Sequence, residues 1–286
     1  DIRNIGKKRT GDEMVFFNYV KNLAVIDSKN EYYLFTDITD FTLLSNMEAE
    51  LEIRGKNNFK IISLKSPNKF IWNIWTLPRY LRRNPIDIYH TQYILPFFMS
   101  KKIKLITTIH DISFNFYPQF IRVTDLLFLK LLVPWSLKKA NKIIAVSNFT
   151  KDEIVRYYKI APEKIIVVYN AVGDNFSNVD LSISFACTRY AKDNKVESIR
   201  RKYKLPSKFI LYLGTMQPRK NLPTLIKAYA CIKNKIPGVK LVLAGNKNAY
   251  NFDKRIDKLI EEYNLSKDVI FTGYIKEKDK PELYKA

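Results

Sequence analysis

The sequence predicts two α/β domains facing a shared cleft, each built on a doubly wound parallel sheet, with the second domain unfinished. Three observations carry this. The chain has 286 residues, long for one compact domain and comfortable for two. Short β-branched runs alternate with longer amphipathic stretches, the pattern of repeated βαβ units. Several of those runs are continuously apolar, as strands covered on both faces of a parallel sheet must be.

In the first domain the expected strands are Tyr32–Thr36, Lys60–Leu64, Ile86–His90, Lys104–His110, Lys142–Ser147 and Ile165–Tyr169. A helix is expected over Met14–Leu23, where apolar residues recur at helical spacing. The second domain is expected to hold strands Phe209–Gly214, Lys240–Gly245 and Val269–Gly273. Its helices are expected over Asn221–Ile232 and Asp253–Tyr263, the latter closed by Asn264. Between the domains lies Gly173–Pro206, rich in Asn, Ser, Asp and Lys, with a short helix expected over Val196–Tyr203. The division is therefore 1–172, a boundary segment 173–206, and 207–286. A complete doubly wound domain has about five or six strands, so the chain is expected to end in mid-fold, with Pro281–Ala286 opening a helix. It begins at Asp1 without an initiator Met, so the given sequence is expected to lack its true start.

Composition narrows the class. Apolar residues make up 47% and aromatics 14%, enough for two cores and unlike a disordered chain. Cys187 and Cys231 lie far apart and outside any CxxC spacing, which argues against a disulfide scaffold or zinc site and fits a reducing compartment. No apolar run approaches the ~18–20 residues needed to span a bilayer, and no secretory signal is visible. The net charge of +21 divides almost evenly, +10 over residues 1–172 and +11 over 173–286. A lysine-rich solvated surface accounts for such an even spread. Of the functional alternatives, phosphorylated substrates fit best, because no nucleic-acid module and no basic stripe with interleaved aromatics is present.

Open α/β sheets bind ligands at the carboxyl ends of their strands, which directs attention to three places. In Gly214-Thr215-Met216-Gln217-Pro218-Arg219-Lys220-Asn221-Leu222 a strand ends, a turn follows, and two adjacent cations precede a helix. A helix start offers unpaired N–H groups and a positive dipole end, so cations there are electrostatically misplaced unless an anion joins them. Arg for bidentate contact and Lys as a point charge together suit a diphosphate. In Ile106-Thr107-Thr108-Ile109-His110-Asp111, His110 stands where a buried strand meets a loop, and Asp111 is placed to cap the next segment or orient the imidazole. His90, the other histidine, also ends a strand, so position alone does not separate them. Third, the glycine-bracketed basic loop Gly6-Lys7-Lys8-Arg9-Thr10-Gly11 is able to approach a phosphate closely. Asp12 and Glu13 follow it at the helix start, where a simple N-terminal cap is an equally good reading.

The Gly214–Tyr229 stretch resembles the donor-binding loop of retaining glycosyltransferases of the GT-B fold. The resemblance extends along the chain through Asp1-Ile2-Arg3, Thr108-Ile109-His110-Asp111, Ile144–Thr150, Val168–Val172, Leu241–Gly245, Phe271–Tyr274 and Leu283–Ala286. It implies two Rossmann-like domains, an acceptor-side one followed by a nucleotide-sugar donor domain. The implied activity is metal-independent transfer of a sugar from a nucleotide diphosphate, with retention at the anomeric carbon. Lys220 would hold the donor diphosphate with Arg219, Thr215, Gly214 and Gly11 around it, His110 would lie close to the transferred sugar, and Asp111 and Asn221 would support them.

The partners implied are a nucleotide-diphosphate sugar and a glycan, lipid-linked or envelope polysaccharide acceptor, with no metal, cofactor or nucleic acid. The implied location is cytoplasmic, at the inner face of the membrane. Two departures stand out: Thr215 occupies the place where the family's arginine often follows the strand glycine, and Asp12 and Glu13 stand where a second glycine is common. The family's glutamate-bearing motif is expected beyond Ala286, so an inactive fragment or a non-catalytic binding protein of the same fold is the alternative. Finally, Phe70–Arg83 mixes aromatics with arginines, read here as a helix packed on the sheet with at most weak peripheral membrane contact.

Overall fold

The computed structural model describes residues 1–6, 11–173, 176, 194–247 and 251–286, with Asp12 described by its backbone alone. Lys7–Thr10 of the basic loop, most of the boundary segment and Cys187 lie outside the described residues. The chain forms two compact units, Asp1–Ala171 and Val172–Ala286.

In the N-terminal unit, β1 (Tyr32–Thr36) and β2 (Phe59–Ser63) pair in parallel, and Ile2 N donates to Phe35 O at 2.8 Å. A four-stranded parallel sheet follows in the order β3 (Ile88–Gln92), β4 (Lys104–Ile109), β5 (Lys142–Ala145), β6 (Ile165–Val167). Helices α1 (Gly11–Ile26), α2 (Phe41–Glu50), α4 (Leu77–Arg83), α5 (Val123–Lys139) and α6 (Asn148–Tyr158) connect and cover these strands, and α3 is the single turn Lys69–Ile71. Their starts follow from local chemistry. Asp40 accepts from Leu43 N at 2.8 Å to open α2, and Ser147 accepts from Thr150 N at 3.0 Å to open α6. Caps of this kind contribute about 1 kcal/mol each.

Between α3 and α4 the chain widens into a π turn over Trp72–Thr76, with Leu77 N donating to Trp72 O. Pro78, at the second position of α4, has no N–H and its ring would crowd the carbonyl four residues back in a regular helix. The wide turn removes that conflict and points Trp72, Leu77 and Leu81 into the core with Tyr89, Ile109, Val133, Leu137 and Ile143. The expected packing of this segment is thus present on one of its faces.

Helix α1 packs on the sheet through Phe16, Val20 and Ala24, which join Leu34, Met47 and Phe59 in a second cluster. His90 is enclosed there. Its ring meets Phe16 at 5.1 Å and Tyr19 at 5.6 Å between centroids, and its Nε2 lies 2.8 Å from Thr108 Oγ1. Burial pushes its pKa down to about 3.

The C-terminal unit opens with α7 (Asn194–Lys202) and continues through β7 (Lys208–Leu213), α8 (Leu222–Ile232), β8 (Val239–Ala244), α9 (Arg255–Glu262), β9 (Val269–Gly273) and α10 (Lys280–Lys285). Its parallel sheet has the order β7-β8-β9. Leu241 and Leu243 of β8 pack against Ile226 and Tyr229 of α8 and Ile256 of α9. Asp279, 7% exposed, accepts from Tyr203 Oη at 2.6 Å and pairs with Lys202, which ties α7 to α10.

Each strand of this sheet runs into a glycine at its carboxyl end, Gly214, Gly245 and Gly273. A Cβ on Gly245 would stand 2.1 Å from Gly214 O, far inside contact distance, so only glycine fits. Gly273 lies at φ 76°, in the left-handed region that favours glycine.

Gly245→Ala is therefore expected to force β7 and β8 apart and to lower stability by about 3 kcal/mol, read as a shift in the denaturation midpoint. An unshifted midpoint would contradict the contact. His90 generates a second expectation. It is neutral when folded but protonates near its ordinary 6.5 when unfolded, so its contribution is complete above that pH and declines as pH falls toward 3. The thermal midpoint should drop between pH 7 and pH 5 in the native protein, and His90→Phe should flatten that slope.

Candidate functional site

The turn between β7 and α8 is held by its backbone. Gly214 N donates to Ala244 O at 2.9 Å, Tyr212 Oη donates to Thr215 O at 2.7 Å, and Asp253 N donates to Met216 O at 2.9 Å. Met216 itself is buried at 1% exposure, anchoring the turn in the core. Asp253 is in turn gripped by Arg255, whose Nε and Nη2 donate at 2.9 and 2.7 Å and hold its carboxyl below the usual carboxylate range. Fixed backbone at the base leaves the tip to present its side chains.

That tip is the short 3₁₀ turn Pro218–Lys220. Arg219 and Lys220 are exposed, and Arg219 Nε donates to its neighbour Gln217 Oε1 at 3.4 Å. Asn221 then takes the left-handed conformation, φ 54° and ψ 41°, which breaks the 3₁₀ turn and starts α8 on a new axis. Its side chain does not cap α8; it accepts instead from Thr224 Oγ1 at 3.0 Å. The N-terminus of α8 is consequently uncapped by any side chain, with two cations immediately before it. Helix dipole and side-chain charge are all positive at one place, an arrangement that an anion stabilises.

On the N-terminal unit, His110 follows β4 and is half-buried. Its carbonyl accepts from Thr150 Oγ1 at 3.1 Å, and its ring lies 5.8 Å from that of Tyr93. Asp111 caps the next turn, its Oδ1 accepting from Ser113 N at 2.9 Å and Ser113 Oγ at 2.6 Å. Of the two roles open to Asp111 in the sequence, the capping one is present. His90 and His110, both half-buried, are distinguished by place: the ring of the first lies against Thr108 of β4 and the aromatics of α1, and the second follows β4 at the carboxyl edge of the sheet.

Gly11 opens α1 and is exposed, with nothing within 4 Å of where a Cβ would stand. Glu13 is buried and its Oε1 accepts from Gly6 N at 2.9 Å. Among the described residues no group of three or more His, Cys, Asp or Glu side chains is placed to hold a metal ion.

Three contributors escaped the sequence reading. Tyr93, at φ 57°, turns back beside His110 just after β3, and Tyr212 braces the cationic turn. Lys247, two residues after Gly245, pairs with Asp257 at 2.6 Å and lies 4.8 Å from the Phe271 ring centre. The position of Tyr93 and Lys247 just past strand ends was the available signal.

The family model described as Glycosyltransferase Family 4 matches residues 30–176, and that of Glycosyl transferases group 1 matches residues 195–286. The serotype-specific mannosyltransferase WbdA of Escherichia coli is 31% identical over 148 residues, covering 51% of this chain and 17% of that protein. The chain thus spans less than a fifth of that curated relative. The O-antigen chain mannosyltransferase B of Escherichia coli is 25% identical over 292 residues, covering 97% of this chain and 71% of the other.

Among solved structures, a glycosyltransferase from Rickettsia africae ESF-5 superposes with a TM-score of 0.65 at 22% identity, covering 96% of this chain and 67% of that one. Anabaena HepE in complex with UDP and glucose superposes with a TM-score of 0.61 at 15% identity, covering 96% and 68%. At such identities these structures show a shared fold, the two Rossmann-like domains of GT-B glycosyltransferases. The chain belongs to glycosyltransferase family 4, with a group 1 glycosyl transferase region following the segment that defines the family.

Proposed function

We propose that the protein transfers a hexose, mannose being the first candidate, from a nucleotide-diphosphate sugar to a glycan, lipid-linked or envelope polysaccharide acceptor, with retention of configuration. The observation that carries this is the rigid turn before α8, where Arg219 and Lys220 precede a helix N-terminus uncapped by side chains. A donor diphosphate is the anion that such a turn suits. Gly214 and Thr215 bring backbone close to it, Lys220 supplies a point charge, and Arg219 a fork for two phosphate oxygens. Asn221 supports the pair by fixing where the turn ends.

In the transfer, the bond from the anomeric carbon to the diphosphate oxygen breaks and negative charge grows on the leaving group. Fixed cations stabilise that charge more than they stabilise the donor, which lowers the barrier. His110 is assigned contact with the transferred sugar, with Asp111 holding the backbone that follows it, and Gly11 is assigned an approach to the donor through its open Cα. No metal is invoked. Residues 1–172 serve as the acceptor-side domain, 173–206 as the boundary and 207–286 as the donor domain. Mannose is favoured by the names of the relatives, among them the two Escherichia coli mannosyltransferases, and the nucleotide donor by the UDP complex of a protein of like fold. On this reading the reaction runs in the cytoplasm, at the inner face of the membrane.

A panel of mannosyl and glucosyl nucleotide diphosphates, measured by thermal shift and by transfer, tests this. Lys220→Ala should abolish the donor-induced shift and lower kcat/KM by about 100-fold or more, the loss typical of a group that stabilises developing charge. His110→Ala should lower transfer while leaving the donor shift in place. A chelator should change neither. Native rates in Lys220→Ala would refute the role given to the turn, and donor binding without transfer in the native protein would mark a non-catalytic binder.

A further inference from the structure

The backbone just after β3 leaves extended geometry at Tyr93. Its φ is 57°, and Ile94 N donates to Gln92 O at 2.6 Å across it, closing a three-residue γ-turn. With a positive φ at its centre, this turn is the rare and strained kind. Other non-glycine residues at positive φ have a local reason. Glu52, Lys159, Lys204 and Asn264 each follow the end of a helix, where the left-handed conformation is common. Tyr93 follows a strand, and a bulky side chain in that conformation is an outlier that its surroundings must enforce.

Both flanks enforce it. On one side Gln92 pairs with Thr108 in the β3–β4 ladder, and Tyr93 N donates to Thr108 O at 3.0 Å. On the other, Leu95 is fully buried and its N–H donates to the buried Ser136 Oγ of α5 at 2.9 Å. Tyr93 and Ile94 are all the chain has to turn from one anchor to the other.

What the turn achieves is the direction of one ring. The Tyr93 ring lies 5.8 Å from that of His110 and is tilted by 45°, within the range of aromatic contact. Its hydroxyl accepts from Asp111 N at 3.4 Å, so the side chain touches both the histidine and the residue after it. The His110 carbonyl is held separately, by Thr150 Oγ1 of α6 at 3.1 Å. Backbone and imidazole of His110 thus have different supports.

We propose that Tyr93 is a positioning residue: the strained turn after β3 holds its ring against His110 and sets the imidazole for the transferred sugar. A ring already in place when substrate arrives loses no time and no entropy to reorientation. The inference rests on the sugar-transfer reading, through the role given there to His110.

Variants of Tyr93 in the full chain test it, with release of nucleoside diphosphate from GDP-mannose in the presence of octyl α-mannoside as the rate. Tyr93→Ala should lower kcat by up to about 100-fold with the donor KM unchanged. Tyr93→Phe keeps the ring and should stay within about 5-fold of native. In a His110→Ala background, Tyr93→Ala should add no more than about 2-fold, whereas a residue that only packs the core would cost the same in both backgrounds. The chain has two histidines, so His110→Ala assigns the imidazole proton resonances. In Tyr93→Ala those of His110 should broaden or split while those of His90 stay as they are. Tyr93→Gly should unfold at a higher denaturant concentration than Tyr93→Ala, the reverse of the usual order, because glycine accepts the turn without strain. Undiminished kcat in Tyr93→Ala, additive losses in the double variant, unchanged His110 resonances, or Tyr93→Ala as the more stable of the pair would each overturn the proposal. If the native chain releases no nucleoside diphosphate, the sugar-transfer reading fails, and the His110 resonances and the stability order still decide whether Tyr93 holds the ring.

Discussion

The approach of Gly245 to the carbonyl oxygen of Gly214 is the contact on which the C-terminal unit's chemistry rests. It fixes how closely β7 and β8 leave the sheet, and the hydrogen bond from Gly214 N to Ala244 O locks that spacing. From there the main chain has little freedom. Met216 is pinned in the core, Asp253 holds its carbonyl, and Tyr212 holds that of Thr215. Positioning two cations on a short turn has an entropic cost if the turn is free to move. Here the scaffold bears that cost during folding.

Electrostatics is arranged differently on the two units. In the C-terminal unit, charge is concentrated by placing the exposed Arg219 and Lys220 just before a helix start that has no side-chain cap. Elsewhere in the same unit carboxylates are closely paired. Asp268 accepts from Lys240 and Lys233, Asp253 from Arg255, and Asp279 from Lys202 and Tyr203, each held below the ordinary carboxylate range by those partners. The contrast separates cations that brace buried or half-buried carboxylates from the exposed pair on the turn. In the N-terminal unit the two histidines divide similarly, with His90 neutral inside the packing of α1 and His110 at the sheet edge beside Tyr93.

Much of this was legible in the sequence because parallel strands are short, apolar and β-branched. The strand at Tyr32–Thr36 and that at Val269–Gly273 fall where the pattern puts them. The third strand is displaced, occupying Ile88–Gln92 rather than Ile86–His90, because Thr91 is buried and Gln92 pairs with Thr108, continuations that a hydrophobicity pattern undervalues. Helix α5 lacks a clear period, since apolar residues run nearly all round it and Pro134 interrupts it. The cationic turn was visible because its residues are adjacent. Contacts made by folding alone were not: nothing in the chain announces that Gly245 meets Gly214, that Tyr93 turns beside His110, or that Asp253 closes the turn at Met216.

The π turn at Trp72–Thr76 bears on how relatives of this chain should be aligned. Such a turn holds one residue more than the α turn it replaces, while the helical stretches on either side keep their orientation. A homologue one residue shorter here would close into regular helix and still direct the counterparts of Trp72 and Leu81 inward. A single gap belongs within these five positions rather than in the loop before β3, where it would shift Leu77, Leu81 and every inward-facing match after them.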